Sequence, residues 1–245
     1  MSLNHAQMRL LVITLHHLTA SFKEHAILKG GMQLALFSSL RSTNDLDFVF
    51  VPFHSKKEIV DDIRKCLESM GPGTTVEVKM SSKNAKFYVS QNTTRIEVEV
   101  SVDTDVESVP VNTASLAKTY GLAPQMVRVM KPDIALGHKI AAWNERRLVR
   151  DLYDIYFWFS VQKIIPDKTT LEKRLSSITS RLPAHRRRKK MTLEELCVEL
   201  NLFCEQLTPS QIEDELWTLP SEQRAGLLDT FRVQIKNLCH TLSSR

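Results

Sequence analysis

Residues 28–50 read LKGGMQLALFSSLRSTNDLDFVF, and this stretch decides the fold. Gly30 and Gly31 stand between a short apolar piece, Ala26–Lys29, and a run from Met32 to Leu40 whose apolar residues recur at helical spacing. A glycine pair at such a junction lets the backbone approach a ligand closely and leaves N–H groups free at a helix start, which suits phosphate. Asp45-Leu46-Asp47 then opens a run that alternates and turns wholly apolar before Pro52, the pattern of a strand buried at its C-terminal end. Two positions apart on a strand, Asp45 and Asp47 project from one face. Carboxylates held together repel unless a cation lies between them. Mg²⁺, a hard ion that prefers oxygen ligands and substrate phosphates, is the natural occupant.

Working outward, Lys56–Met70 reads as a helix stopped by Gly71-Pro72-Gly73, and Leu3–Phe22 as an amphipathic helix before the glycines. Three strand-like runs follow, Thr75–Met80, Lys86–Ser90 and Arg95–Val102. The last, RIEVEVSV, alternates strictly, with Ile96, Val98 and Val100 on one face and Arg95, Glu97 and Glu99 on the other. Glu99, preferred over Glu97 on the same face, is the expected third carboxylate of a site for two ions. Such a pair of ions activates an attacking hydroxyl and neutralises a leaving pyrophosphate. Beyond Pro110 the pattern is helical: Asp133–Asn144, Arg150–Val161, Thr169–Arg181, Thr192–Leu207, Pro209–Leu216 and Ser221–Leu242, with Met126–Met130 as a further strand. The expectation is an α+β chain. A mixed-sheet core covers residues 1–108, and a mainly helical half that completes the site covers residues 109–245.

Composition narrows the class. With 245 residues, 42% hydrophobic and 25% charged, the chain is too apolar and too mixed in charge to be disordered. Four cysteines without a CxxC or zinc spacing point to a reducing compartment, and no run approaches the roughly 20 apolar residues of a membrane span. A soluble, cytoplasmic protein without a signal peptide is expected. The net charge of +5 is unevenly spread. Between Lys163 and Lys190 stand ten basic residues against two acids, Arg186, Arg187, Arg188, Lys189 and Lys190 among them, whereas Thr192–Glu222 holds eight acids and no lysine or arginine. The basic run reads either as a solvated connector or as a nucleic-acid contact through phosphates.

Two segments carry a resemblance. Residues 28–50 resemble the first motif of the AbiEii/AbiGii toxin family: LKGG, a small helix, then an R-x-S-T-x-D-L-D-F signature. Residues 139–158, KIAAWNERRLVRDLYDIYFW, resemble its K-hydrophobic-x-A segment followed by R-x-x-x-R-D-L-Y-D. The order of glycine pair, helix, paired aspartates and acid-bearing strand is similar to that of the polymerase β-like nucleotidyltransferases at large. The resemblance implies a transferase that moves a nucleoside monophosphate from an NTP to an acceptor hydroxyl with Mg²⁺ and releases pyrophosphate. It makes Asp45 and Asp47 metal ligands and Gly30 and Gly31 the phosphate-contacting turn. Lys139 becomes the lysine that meets the triphosphate, and Asp151 the base for the acceptor or an organiser of the site. It further implies the toxin of a toxin–antitoxin or phage-defence pair, a tRNA 3′ end as acceptor and a cognate antitoxin as partner. Met32 departs from the Thr or Ser that often follows the glycines. Other readings stay open: a protein or small-molecule acceptor, an inactive binding module, an ordinary solvated Lys139, and helix-stabilising pairing for Asp151 and Asp154.

Overall fold

The alternation at residues 45–50 is realised in the middle of a mixed sheet. The computed structural model describes residues 5–177 and 190–244, and the chain divides into two units, Met1–Lys131 and Pro132–Arg245. In the first unit the strands are β1 (Ala26–Lys29), β2 (Asp45–Phe50), β3 (Thr74–Met80), β4 (Ala85–Gln91), β5 (Thr94–Val102), β6 (Ser108–Asn112) and β7 (Met126–Met130). Among the described residues they form one sheet in the order β3-β4-β5-β2-β1-β7-β6. β2 runs parallel to β5 and antiparallel to β1, and β1 runs parallel to β7. The hairpins β3–β4, β4–β5 and β6–β7 are antiparallel.

One face of this sheet is the core. Leu28, Leu46, Phe48, Phe50, Phe87, Val98 and Val100 are buried there beneath α1 (His5–Phe22) and α3 (Val60–Glu68). Burying a side chain the size of Phe48 contributes about 1.5–3 kcal/mol, so the period-two pattern fixes the register firmly. By the same alternation Asp45, Asp47, Glu97 and Glu99 stand on the opposite, polar face. Between β1 and β2, α2 (Gly30–Leu36) is shorter than the run to Leu40 predicts, because Ser38 turns the chain at φ +68. Between β6 and β7 lies α4 (Ala114–Thr119).

The sheet continues past the expected boundary at residue 108. β6 and β7 extend it, and the division falls between Lys131 and Pro132. β6 was hidden by Pro110, which is tolerated because β6 is an edge strand. The second unit begins with α5 (Pro132–Arg146) and α6 (Val149–Tyr156), which runs into a π-helical turn at Phe157–Val161. Then come α7 (Lys168–Ser176), α8 (Leu193–Gln206), α9 (Pro209–Glu215), α10 (Ser221–Arg224) and α11 (Leu227–Ser243). The single helix expected over Ser221–Leu242 is broken at Gly226, whose φ is +79. No described helix is long and apolar enough to cross a membrane.

Candidate active site

The β1–α2 turn and the start of β2 are built against each other. Gly30 has φ +74, a left-handed conformation open to glycine, and a Cβ placed on it would lie 2.0 Å from Asp47 Oδ2. A Cβ on Gly31 would lie 2.5 Å from Thr43 Oγ1 and 3.3 Å from Arg41 Nη2. The glycines are therefore needed for a close approach as well as for a turn: the second aspartate fills the space a side chain would take. Thr43 donates a 2.9 Å hydrogen bond to Asp45 Oδ1. Gly30, Gly31, Asp45 and Asp47 are thus brought together, as the spacing leads one to expect. Thr43 went unread in the sequence. Its signals are the S-T of the first motif and a hydroxyl two positions before Asp45, at the strand entrance. Met32 is fully buried in the core beneath the turn, so its thioether takes no part in the polar face.

The register sets Asp45 beside Glu97 and Asp47 beside Glu99. Both glutamates face a cation on the next strand. Lys86 Nζ lies 2.5 Å from Glu97 Oε1 and 3.4 Å from Glu99 Oε2. The hydrogen bond to Glu97 holds the Lys86 ammonium above the usual lysine range. Among the described residues, no group of three or more metal-ligating side chains gathers about one point. The donor chemistry that fits a hard divalent ion is the pair of carboxylates on β2 beside the glycine turn, where phosphate oxygens would complete the shell.

In the second unit, Lys139 on α5 reaches two buried acids of α6. Its Nζ is 2.9 Å from Asp154 Oδ2 and 3.7 Å from Asp151 Oδ1. Asp151 is also held by the fork of Arg146, with Nε on Oδ2 at 2.9 Å and Nη2 on Oδ1 at 2.7 Å. The side chain of Lys139 is only 15% exposed, so this is not the solvated helix lysine of the simpler reading. Arg147, four residues before Asp151, turns elsewhere. It sits at φ +57 between the helices and bonds Glu199 at 2.8 Å. Two carboxylates and two cations make a locally neutral cluster, the condition under which buried acids are tolerated. Asp154, left open by the sequence, is the nearer acid to Lys139.

Lys190 is exposed just before α8, in a shallow depression shared with Glu194, Glu195 and Glu199. Arg186, Arg187, Arg188 and Lys189 lie outside the described residues.

Comparisons with known proteins agree with this architecture. Residues 14–220 match the family model described as nucleotidyl transferase AbiEii toxin, type IV TA system. No curated protein matches the chain. Two solved Helicobacter pylori structures share the fold. One is titled a putative nucleotidyltransferase, with TM-score 0.51 and 15% identity over 100% of this chain and 98% of that one. The other has TM-score 0.51 and 13% identity over 97% of this chain and 90% of that one. A nucleotidyltransferase-like protein from Paracoccidioides brasiliensis follows at TM-score 0.46 and 18% identity, over 69% of this chain and 86% of that one. With its family model spanning the sheet, both motifs and most of the helical unit, the chain belongs to the AbiEii family of nucleotidyltransferase toxins.

Proposed function

We propose that this protein transfers a nucleoside monophosphate from an NTP to an acceptor hydroxyl, most simply the 3′ end of a tRNA, as the toxin of a toxin–antitoxin or phage-defence pair. The observation that carries the reading is the packing of Asp47 against Gly30, with Asp45 fixed by Thr43 beside Gly31. It sets a phosphate-compatible turn directly against two carboxylates. Backbone N–H groups of the turn donate to the nucleotide's phosphate oxygens, since a backbone without side chains lets them come close. Thr43 fixes the rotamer of Asp45, so the carboxylate needs no reordering when substrate arrives. Mg²⁺, when held by Asp45 and Asp47, stabilises the charge that develops on the transferred phosphoryl group.

Lys139 is the cation assigned to the triphosphate, and Asp154 and Asp151 hold its ammonium ready. Both oxygens of Asp151 are engaged by Arg146. That suits an organiser of Lys139 better than a proton acceptor for the incoming hydroxyl. A cytoplasmic setting and a neutralising antitoxin follow from the same reading.

The test is incubation with Mg²⁺, each α-labelled NTP in turn and total tRNA. Label should appear on tRNA with the wild type and be absent with Asp45→Asn/Asp47→Asn. Absence of transfer with every NTP, or equal transfer by the double variant, would falsify the proposal. Label on protein or on a small molecule in a whole extract, with none on tRNA, would keep the chemistry and change the acceptor.

A further inference from the structure

The lysines and arginines on the strands of the sheet are Lys29, Lys79, Lys86, Arg95 and Arg128. All but the first have a partner within the sheet. Lys79 and Arg95 meet Glu77 at 3.2 and 2.8 Å, and Lys86 meets Glu97 and Glu99. Arg128 donates to the Ser108 carbonyl and hydroxyl, each at 2.9 Å. Lys29 differs: among the described residues its ammonium makes no ion pair and no hydrogen bond. Its place is nevertheless distinctive. It ends β1 directly before Gly30 and lies opposite Asp47 in the β1–β2 register. The preceding pair, Leu28 and Phe48, faces the core, so Lys29 and Asp47 share the polar face. Residues opposed in this way have Cβ atoms about 4.5–5.5 Å apart. We propose that Lys29 is a substrate-binding residue whose ammonium meets a phosphate oxygen of the NTP at the Gly30-Gly31 turn, as the sheet's own cation for the triphosphate in addition to Lys139 of the second unit. This deepens the reading of the turn and of Asp45 and Asp47 given above, and rests on it.

Charge and reach carry the inference. Lys29 is half-buried, and an ammonium drawn partly out of water is stabilised by an anion. The acid opposite it turns elsewhere: Asp47 lays its carboxylate on the backbone of Gly30, with Oδ2 in the place of the absent Cβ. A lysine carries three donors on a flexible four-carbon stem, which lets it follow phosphate oxygens as the leaving pyrophosphate departs. Beside the two aspartates of β2, a positive charge also offsets the repulsion that a triphosphate meets there. Lys139 has acids to leave before it serves a phosphate, Asp154 at 2.9 Å and Asp151 at 3.7 Å. Lys29 has no such competitor among the described residues.

Trace acetylation of the intact chain by an N-hydroxysuccinimide ester, read lysine by lysine by mass spectrometry, tests this. The reaction is run with Mg²⁺ alone, with the α,β-methylene analogue of each NTP, and with tRNA. An analogue that binds should protect Lys29 and leave exposed Lys65, on α3 at the opposite face of the sheet, as reactive as before. Calorimetric titration with the same analogue should show binding about tenfold or more weaker for Lys29→Met, the scale of one charge-assisted contact, with an unchanged urea midpoint. Analogue binding that leaves Lys29 unprotected overturns the proposal, and this arm decides alone if Lys29→Met does not fold. Wild-type affinity in Lys29→Met also overturns it. So does protection by tRNA without protection by any analogue, which would give Lys29 to a phosphate of the acceptor. Failure of the underlying reading looks different: Asp45→Asn/Asp47→Asn then binds the analogue with the same Mg²⁺ dependence as wild type, whatever happens at Lys29. Absence of binding by every analogue overturns both.

Discussion

At the scale of single residues, the site depends on what glycine lacks. Gly30 and Gly226 share a left-handed backbone, at φ +74 and +79, but differ in surroundings. A Cβ on Gly226 meets nothing within 4 Å, whereas one on Gly30 runs into Asp47. Gly226→Ala should therefore lose only the backbone term, about 1–2 kcal/mol, and leave nucleotide transfer intact. Gly30→Ala should lose at least as much and also displace the Asp47 carboxylate, so transfer falls far more than stability does. Gly31→Ala has no φ penalty and strikes Thr43 instead, so its effect should resemble that of Thr43→Val. Urea denaturation alongside labelled-NTP transfer for the four variants checks the ranking. Equal losses of activity in Gly226→Ala and Gly30→Ala would show that the close approach to Asp47 is unimportant.

At the scale of elements, α5 and α6 carry an ion cluster whose balance is delicate. Asp151 and Asp154 keep only 3% and 1% of their side chains exposed, and Lys139 touches both. Lys139→Met keeps the volume and removes one of the cations, which leaves Asp154 without its 2.9 Å partner. Breaking a buried pair by deleting one member typically destabilises by about 3–5 kcal/mol, and removing both recovers much of it. Lys139→Met should fall in that range by urea denaturation, with Lys139→Met/Asp154→Leu closer to wild type. A neutral single variant would mean that Lys139 does not stabilise these acids. This cluster was only half legible in the sequence. The helices were, because Leu136, Ile140 and Trp143, or Leu152 and Ile155, repeat at helical spacing and are buried. The partner of Asp151 was not: i, i+4 spacing pointed to Arg147. The chain, however, leaves the helix at Arg147, which swings that side chain to Glu199 and brings Arg146 to the acid. Strands were legible where one face is apolar, as in β2 and β5. β6 was obscured by proline and by its edge position. The register that gives Glu99 to Lys86 depends on which strands become neighbours, and no local pattern states that.

At the scale of the whole chain, the charge of +5 averages over parts that do different things. Half of the eight acids from Thr192 to Glu222 are spent on partners elsewhere in the second unit. Glu199 meets Arg147, Glu205 meets Arg232 and Lys236, Glu213 meets Arg224, and Glu215 accepts the Val149 N–H. Glu199, Glu205 and Glu213 neutralise cations from other segments, Glu215 satisfies a backbone donor, and all four stitch the helical unit together. The ten basic residues from Lys163 to Lys190 have only two acids beside them in sequence; among the described residues of the run, Arg174 pairs with Glu145 on α5. If the acceptor is an RNA, this excess is where its phosphates find compensation, and the signature is salt dependence. Each phosphate contact adds about 0.7–0.9 to the slope of log affinity against log salt. Changing Arg186, Arg187 and Arg188 together to alanine should weaken tRNA binding at low salt and flatten that slope by about 2–3. Transfer to a small-molecule acceptor would be left alone. Binding measured by fluorescence anisotropy from low to moderate KCl gives the number directly. An unchanged slope would make the run a solvated connector and return the choice of acceptor to the surroundings of Asp45 and Asp47.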